Sequence, residues 1–233
     1  MEEIFLKAVT ISQRPFFVKR NIVADHASGA RYLRYRLLRP LLKIYNRLMK
    51  ARFGKNKPWL SPASIQILNT VLTKDMTGLE YGSGMSTYFF SQKLKALVSV
   101  EHHKGWHDLV SKQLEQNEVK NVNYVFKAAE TSEVKADIER RYKLNFDKEL
   151  TSYHEYYEYL REFPDNHFDF ILIDGRARVE CSSRAVGKLK KGGIFILDNS
   201  ERVRYRPVHE MLKDWPKITT TTGLTDTTLW FKP

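Results

Sequence analysis

The stretch LEYGSGMST, Leu79 to Thr87, sets a carboxylate, Glu80, two residues before a Gly82-Ser83-Gly84 turn and places the hydroxyls of Ser86 and Thr87 just after it. Glycines lack a Cβ, so a ligand can approach their backbone closely, and the start of a following helix offers N–H groups with no intrahelical partner. The same spacing also serves a tight strand-to-helix turn that holds nothing. A second carboxylate argues for a ligand. Glu101 ends the next apolar run, ALVSVE, 17 residues beyond Gly84, where it could accept both hydroxyls of a ribose.

The ligand is then an adenosine derivative, and the turn discriminates between two kinds. A dinucleotide favours a third glycine for close helix packing and a pyrophosphate at the helix N-terminus. Here Thr87 stands at that third position, and Glu80 would set a negative charge near the diphosphate. A ligand carrying an ammonium and a sulfonium suits that charge better. S-adenosylmethionine is therefore preferred over NAD.

A second group of polar residues follows two later apolar runs. Asp174 ends FDFILID, and Asp198 with Asn199 ends GGIFILD. If both runs are neighbouring strands, three oxygen ligands meet at one sheet edge, a set that a hard divalent cation such as Mg2+ accepts. The same residues serve equally as strand-end caps. Arg176 and Arg178, with Arg202, Arg204 and Arg206, lie on the loops that follow. Arginine pairs bidentately with carboxylate or phosphate, so they suit an anionic acceptor, or else salt bridges to Glu180 and Glu201. Cys181, the single cysteine, has no histidine near it in sequence and reads as a packed small residue. The histidines show no zinc-ligand spacing.

These positions require a scaffold that brings strand ends together. Short runs rich in β-branched and aromatic residues (TGLEY, ALVSVE, NVNYVF, FDFILID, GGIFILD, KITTTT, TTLWFK) alternate with helical stretches such as GWHDLVSKQLEQ. Alternation of this kind predicts an α/β fold, a doubly wound, mostly parallel seven-stranded sheet covered on both faces. Only a short turn around Gly223 separates the last two runs, so a hairpin with an antiparallel strand should finish it. Ser61 and Pro62 mark a helix start. A charged, tyrosine-rich insertion, residues 131–165, interrupts the alternation where it would overhang the ligand-binding strand ends, as a lid on the acceptor side.

From about Ser61 to Lys232 the chain resembles class I S-adenosylmethionine-dependent methyltransferases, a Rossmann-like family. Four segments carry the likeness in order: LEYGSGMST, LVSVEHHKGW, FDFILIDGRAR and LKKGGIFILDNSER. The resemblance implies that Gly82, Ser83, Gly84 and Ser86 line the cofactor, with Glu80 near its methionine portion and Glu101 on its ribose. His102 would lie beside the adenine, Ala128, Ala129 or Glu130 would flank the base, and Asp174 would lie at the mouth of the site. By their own chemistry and position, Asp174, Arg176 and Arg178 are the candidate catalytic residues at the reacting end. The Asp174 and Asp198-Asn199 pattern also resembles the magnesium site of catechol and caffeoyl-CoA O-methyltransferases. Ala177 replaces the lysine those enzymes carry three residues after the first aspartate. The expected activity is methyl transfer to an oxygen of a small or glycan-type, anionic acceptor. The alternatives are an RNA methyltransferase or a membrane-peripheral nucleotide-binding module without turnover.

Composition agrees with a folded protein and locates its charge. The chain has 233 residues, 42% hydrophobic and 28% charged, and a formal charge of +12. Residues 1–60 hold 14 Lys and Arg against Glu2, Glu3 and Asp25, so the excess belongs to a basic helical N-terminal extension; the resemblance implies that residues 61–233 are the methyltransferase domain. Leu33, Leu37, Leu41, Ile44 and Leu48 recur at helical spacing among the cations, with Pro40 expected to kink or restart the helix. Such a helix could pack on its own domain, the commoner use, contact an anionic membrane through residues 31–57, or touch nucleic-acid phosphate. No leader or apolar run of membrane-spanning length is evident, and a single cysteine fits a reducing cytoplasm.

Overall fold

A computed structural model of the chain describes residues 2–23, 29–53, 57–130 and 153–233. Its centre is one seven-stranded sheet in the order β3-β2-β1-β4-β5-β7-β6. The strands are β1 (Thr77–Tyr81), β2 (Ala96–Glu101), β3 (Val122–Phe126), β4 (Phe168–Ile173), β5 (Leu189–Asp198), β6 (Lys217–Thr221) and β7 (Asp226–Phe231). β1 to β5 pair in parallel, and β7 runs antiparallel to both β5 and β6. All seven apolar runs in the sequence are strands, closed by the expected hairpin.

Side chains alternate between two layers because successive strand residues point to opposite faces. On one face Phe170, Leu172, Ile194, Ile196 and Phe231 pack with α1 (Glu2–Ser12), α3 (Pro62–Val71) and α4 (Met85–Ser91). On the other, Ile171, Ile173, Phe195, Leu197 and Trp230 pack with α6 (His154–Glu158), α7 (Arg178–Ala185) and α8 (Arg206–Met211). Burying such an aliphatic or aromatic side chain stabilises the fold by about 1.5–3 kcal/mol, so these two layers carry the sheet. Between β2 and β3 the crossover is α5 (Lys104–Gln116). Ser61 caps α3 by accepting from the Ser64 N–H at 3.1 Å and also bonds Thr220 of β6 at 2.7 Å.

The first 60 residues contribute to this core. Ala8 and Ile11 of α1, with Phe17, lie in the first layer, and Phe5 meets Phe231 edge to face at 5.1 Å. The second helix, α2 (Gly29–Ala51), continues through Pro40 without interruption, although proline removes one hydrogen bond there. It meets the body through Met49 and Asn46, whose Nδ2 donates to Leu42 O and Thr222 O, both at 2.7 Å. The apolar stripe expected to pack inward faces solvent: Leu33, Leu37, Leu41, Ile44 and Leu48 are 58–65% exposed.

The described end of the 131–165 insertion packs on the second layer and reaches the strand ends, where Tyr153 and Tyr156 meet the His102 ring at 5.5 and 5.7 Å and the Tyr156 hydroxyl lies against Gly175. Tyr156, Tyr157 and Leu160 are buried in the second layer. The remainder of the predicted lid, residues 131–152, lies outside the described residues.

Candidate functional site

Chain order places the site. From β1 the chain winds outward to β3, then returns to β4 on the other side of β1, so the loops after β1 and β4 diverge and leave a crevice at the carboxyl ends of the strands. The two loops are tied at their roots, where Asp174 N–H donates to Tyr81 O at 2.8 Å, and the β1 loop is tied to β2 by Gly82 N–H donating to Val100 O at 2.9 Å. Gly82 adopts φ +89°, and a Cβ there would fall 2.5 Å from Gly175 N. Its missing side chain therefore serves the contact between two protein loops. Gly84 differs. A Cβ there would meet only the Trp106 ring, at an ordinary 3.5 Å, so the protein's own packing does not demand a glycine at a position that lines the crevice.

The crevice holds a cavity of about 700 Å³ bordered by Gly82, Ser83, Gly84, Ser86, Glu101 and His102 on the β1–β2 side and by Asp174, Arg176, Arg178, Asp198 and Asn199 on the β4–β5 side. These predicted residues thus converge. Glu80 and Ala129 do not join them. Glu80 is fully buried behind the turn, where its Oε2 accepts from Thr87 Oγ1 at 2.6 Å and Ser99 Oγ at 2.8 Å, while Thr87 Oγ1 accepts from Gly84 N–H at 3.0 Å. It braces the turn from behind. Burial raises its carboxyl to about 7 against the opposing pull of the Ser86, Thr87 and Ser99 hydroxyls. Ala129 is exposed on the irregular segment after β3 and does not border the cavity.

Glu101 is engaged on both oxygens. Oε2 accepts from Ser83 N–H at 2.9 Å and Ser83 Oγ at 2.7 Å, and Oε1 from the N–H groups of His102 at 2.9 Å and His103 at 2.8 Å. Burial alone would raise this carboxyl, but the hydrogen bonds from His102, His103 and Ser83 outweigh it and hold it down at about 2. A carboxylate offers about four lone-pair sites, so a ribose hydroxyl reaches Glu101 only where Ser83 gives way. Ser83 Oγ has a second partner ready, Tyr124 Oη at 2.6 Å.

The opposite wall centres on Arg178, which is 8% exposed. Its Nε donates to Gly175 O at 3.0 Å, its Nη2 to Asp174 O at 2.7 Å and Asp174 Oδ1 at 2.9 Å, and its Nη1 to Asp198 O. Predicted as a reacting-end arginine, it instead clamps the ends of β4 and β5. Burial first, and then Asp198, push Asp174 upward while Arg178 pulls it back. Burial also raises Asp198, whose Oδ1 accepts from Thr227 Oγ1 at 2.6 Å.

The donors do not fit the magnesium ion expected from Asp174, Asp198 and Asn199. A fixed guanidinium already neutralises Asp174, Asp198 is committed to Thr227, and no group of three or more His, Cys, Asp and Glu able to hold a metal occurs among the described residues. Sequence spacing could not show this, because Arg178, the first residue of α7, reaches Asp174 by folding back over the Gly175–Ala177 turn.

Beyond Arg178 lies a second cavity of about 310 Å³, bordered by Arg176, Arg202, Arg204 and Tyr205 and sharing Gly175, Arg176 and Arg178 with the first. The Tyr205 ring lies 5.5 Å from the Arg178 guanidinium carbon and 5.1 Å from that of Arg204. Four of the five arginines singled out in the sequence border it, and Arg206 does not. The sequence did not reveal the aromatic wall. Trp106 Nε1 donates to Ser83 O at 2.5 Å, and Trp59 lies 5.9 Å from the Trp106 ring. The only hint was the tryptophan in EHHKGW, on the first turn of the helix after β2.

No protein-family model and no curated protein matches the chain. Solved structures do. A methyltransferase-like protein from Silicibacter pomeroyi is 23% identical, with 77% of this chain and 91% of that one covered at a TM-score of 0.53. A methyltransferase from Pyrococcus furiosus is 18% identical over 83% of this chain and 98% of that one, with a TM-score of 0.48. The YcgJ protein of Bacillus subtilis matches over 58% of this chain and 48% of that one, at 18% identity and a TM-score of 0.39. The fold is Rossmann-like, as in the methyltransferase-like protein from Silicibacter pomeroyi.

Proposed function

We propose that the protein transfers a methyl group from S-adenosylmethionine to an oxygen of a small anionic acceptor. The observation that carries this reading is the pair of joined cavities. One, bordered by the Gly82–Gly84 turn, has the size of a cofactor site. The other, bordered by Arg176, Arg202 and Arg204, has the charge of an anion site. They meet at Gly175, Arg176 and Arg178, where donor and acceptor would face each other.

In this reading the turn and Ser86 hold the cofactor, Glu101 takes its ribose once Ser83 turns to Tyr124, His102 borders the base, and Trp106 keeps the turn in place. The bound cofactor supplies an electrophilic methyl on a sulfonium. The protein's own contribution is alignment and exclusion of water, which together are worth several orders of magnitude in rate. Asp174, kept basic by burial and Asp198, is placed to take a proton from an acceptor hydroxyl, as a base poised near the working pH should. Arg178 fixes that carboxylate's position, and Arg176 and Arg204 orient the acceptor's negative charge.

Calorimetric titration with S-adenosylhomocysteine and with NAD tests the cofactor. The expected result is saturable heat with the first and none with the second; heat with NAD alone would overturn the reading. Transfer of labelled methyl to a panel of carboxylated, phosphorylated and neutral hydroxyl compounds tests the acceptor class. Label confined to neutral compounds would remove the anionic acceptor.

A further inference from the structure

We infer that α2 is a membrane-surface helix that seats the protein on an anionic lipid bilayer. Leu33, Leu37, Leu41, Ile44 and Leu48, all 58–65% exposed, lie on one line. At about 100° per residue they fall within an arc of roughly 80°, about 22 Å long. Asn46 and Met49, the residues α2 buries against the body, lie on the far side of the helix, so the stripe faces directly away from the protein. An apolar strip of this length on a soluble surface marks a contact.

Charge selects the partner. On the same wheel Arg36, Lys43 and Arg47 border one edge of the stripe and Arg34 the other. The helix carries seven Arg and Lys, counted from Arg31 to Lys50, and no acidic residue. A second copy apposed stripe to stripe would bring these cations against their own kind, which costs energy. An anionic lipid surface meets both features at once: its acyl boundary takes the leucines and its phosphates take the flanking cations. Tyr32, 46% exposed beside Arg36, suits the headgroup level. No described helix is long and apolar enough to cross a bilayer, so α2 lies on the surface.

The basic edge of the stripe continues toward the body of the protein. Lys43, Arg47 and Lys50, with Lys57, border a cavity of about 650 Å³ that shares Trp59, Met85 and Thr225 with the cofactor cavity. Lys43 and Arg47 thus lie between the stripe and this recess, on the edge opposite Arg34. The inference stands apart from the methyl-transfer reading, since none of the stripe residues borders either cavity of the site.

Co-sedimentation of the full chain with vesicles of phosphatidylcholine alone, and of phosphatidylcholine with phosphatidylglycerol, tests it. Binding is expected only to the anionic vesicles, weakening with salt. The double substitution Leu37→Ser, Leu41→Ser should lower the partition coefficient at least tenfold, and Leu37→Met, Leu41→Met should restore it. Arg34→Gln with Arg36→Gln should lower it about thirtyfold. These side chains are exposed, and an unchanged thermal melt would confirm that each variant folds. Equal binding to neutral vesicles, or anionic-vesicle binding indifferent to the serine pair, overturns the inference. So does absence of vesicle binding together with stripe-dependent dimers in sedimentation velocity, or with binding of a structured RNA that needs the arginines and not the leucines.

Discussion

The Nη2 of Arg178 lies 2.9 Å from Asp174 Oδ1, while its Nη1 donates to the backbone carbonyl of Asp198. One side chain from the first turn of α7 therefore joins the ends of two strands and neutralises the carboxylate between them. Strand ends that would otherwise repel are held by a cation the chain itself carries.

Replacing that cation should loosen the site from its base. Arg178→Ala leaves Asp174 beside the other buried carboxylate, Asp198, without its partner, a change that costs about 3 kcal/mol in comparable buried pairs. For a chain of this size the melting temperature should fall by roughly 10 °C. Arg178→Lys, which supplies charge without the planar fork, should recover only part of it. Methyl transfer by the unaltered protein should be indifferent to EDTA, because the position a divalent ion would take is filled. Loss of activity on chelation, restored by magnesium, would show that the guanidinium moves aside for a metal.

Gly82 gives a prediction of opposite character. Its φ of +89° and the 2.5 Å approach of Gly175 N to any Cβ mean that Gly82→Ala must shift the β1 turn against the β4 turn. Strain of this kind costs about 1–3 kcal/mol before the clash is added. Urea denaturation should show at least that loss. Gly84→Ala, with φ 166° and only Trp106 nearby, should leave stability within about 0.5 kcal/mol yet weaken S-adenosylhomocysteine. Equal effects of the two substitutions on both measurements would refute the division of labour between the glycines.

Much of this architecture was legible in the chain. The apolar runs are short, separated by Gly, Pro and Asn, and too regular to be anything but strands of one sheet; the alternation of Phe170 and Ile171 between layers follows from the pleat. The ends of those strands carry the polar residues, so Glu101, Asp174 and Asp198 had to share one edge. What each does there was not legible. The roles of Glu80 and Arg178 depend on which way a side chain turns: Glu80 backward to Thr87 and Ser99, Arg178 across to Asp198. Periodicity gave the α2 stripe correctly but not its direction. The polar pairing of Asn46 with Thr222 O turned the helix so that its leucines face out.

The position of Glu80 makes stability depend on pH with a definite sign. Its folded carboxyl is raised to about 7 from an ordinary 4.5, so between these values the folded state binds more protons than the unfolded one. The stabilisation is fully present below about 4.5 and is lost as pH rises through about 7, a total of about 3 kcal/mol. Glu80→Gln, which keeps an acceptor for Thr87 and cannot ionise, should remove this component. The stability difference between the two proteins, followed by urea denaturation from pH 4.5 to 8, should change by about that amount, the glutamine form gaining at high pH. A flat difference curve would mean that Glu80 titrates at an ordinary value.

Ser83 and Glu101 decide whether the carboxylate serves the fold, the ligand or both. In the structure the Ser83 hydroxyl donates to Glu101 Oε2 at 2.7 Å, which is where a ribose hydroxyl would have to donate. Ser83→Ala vacates that lone pair while leaving the Ser83 N–H bond to the same oxygen in place. If ribose and hydroxyl compete, the alanine variant should bind S-adenosylhomocysteine as tightly as the unaltered protein or a few-fold more tightly. Glu101→Gln should weaken it by about 10- to 100-fold, since a charged acceptor is worth about 1.5–3 kcal/mol. The glutamine should also lower the melting temperature, because the N–H groups of Ser83, His102 and His103 all lose an ionised partner. Calorimetry on both variants separates the outcomes. A Glu101→Gln protein that melts early yet binds with unchanged affinity would confine the carboxylate to holding the turn, and the ribose would need another partner.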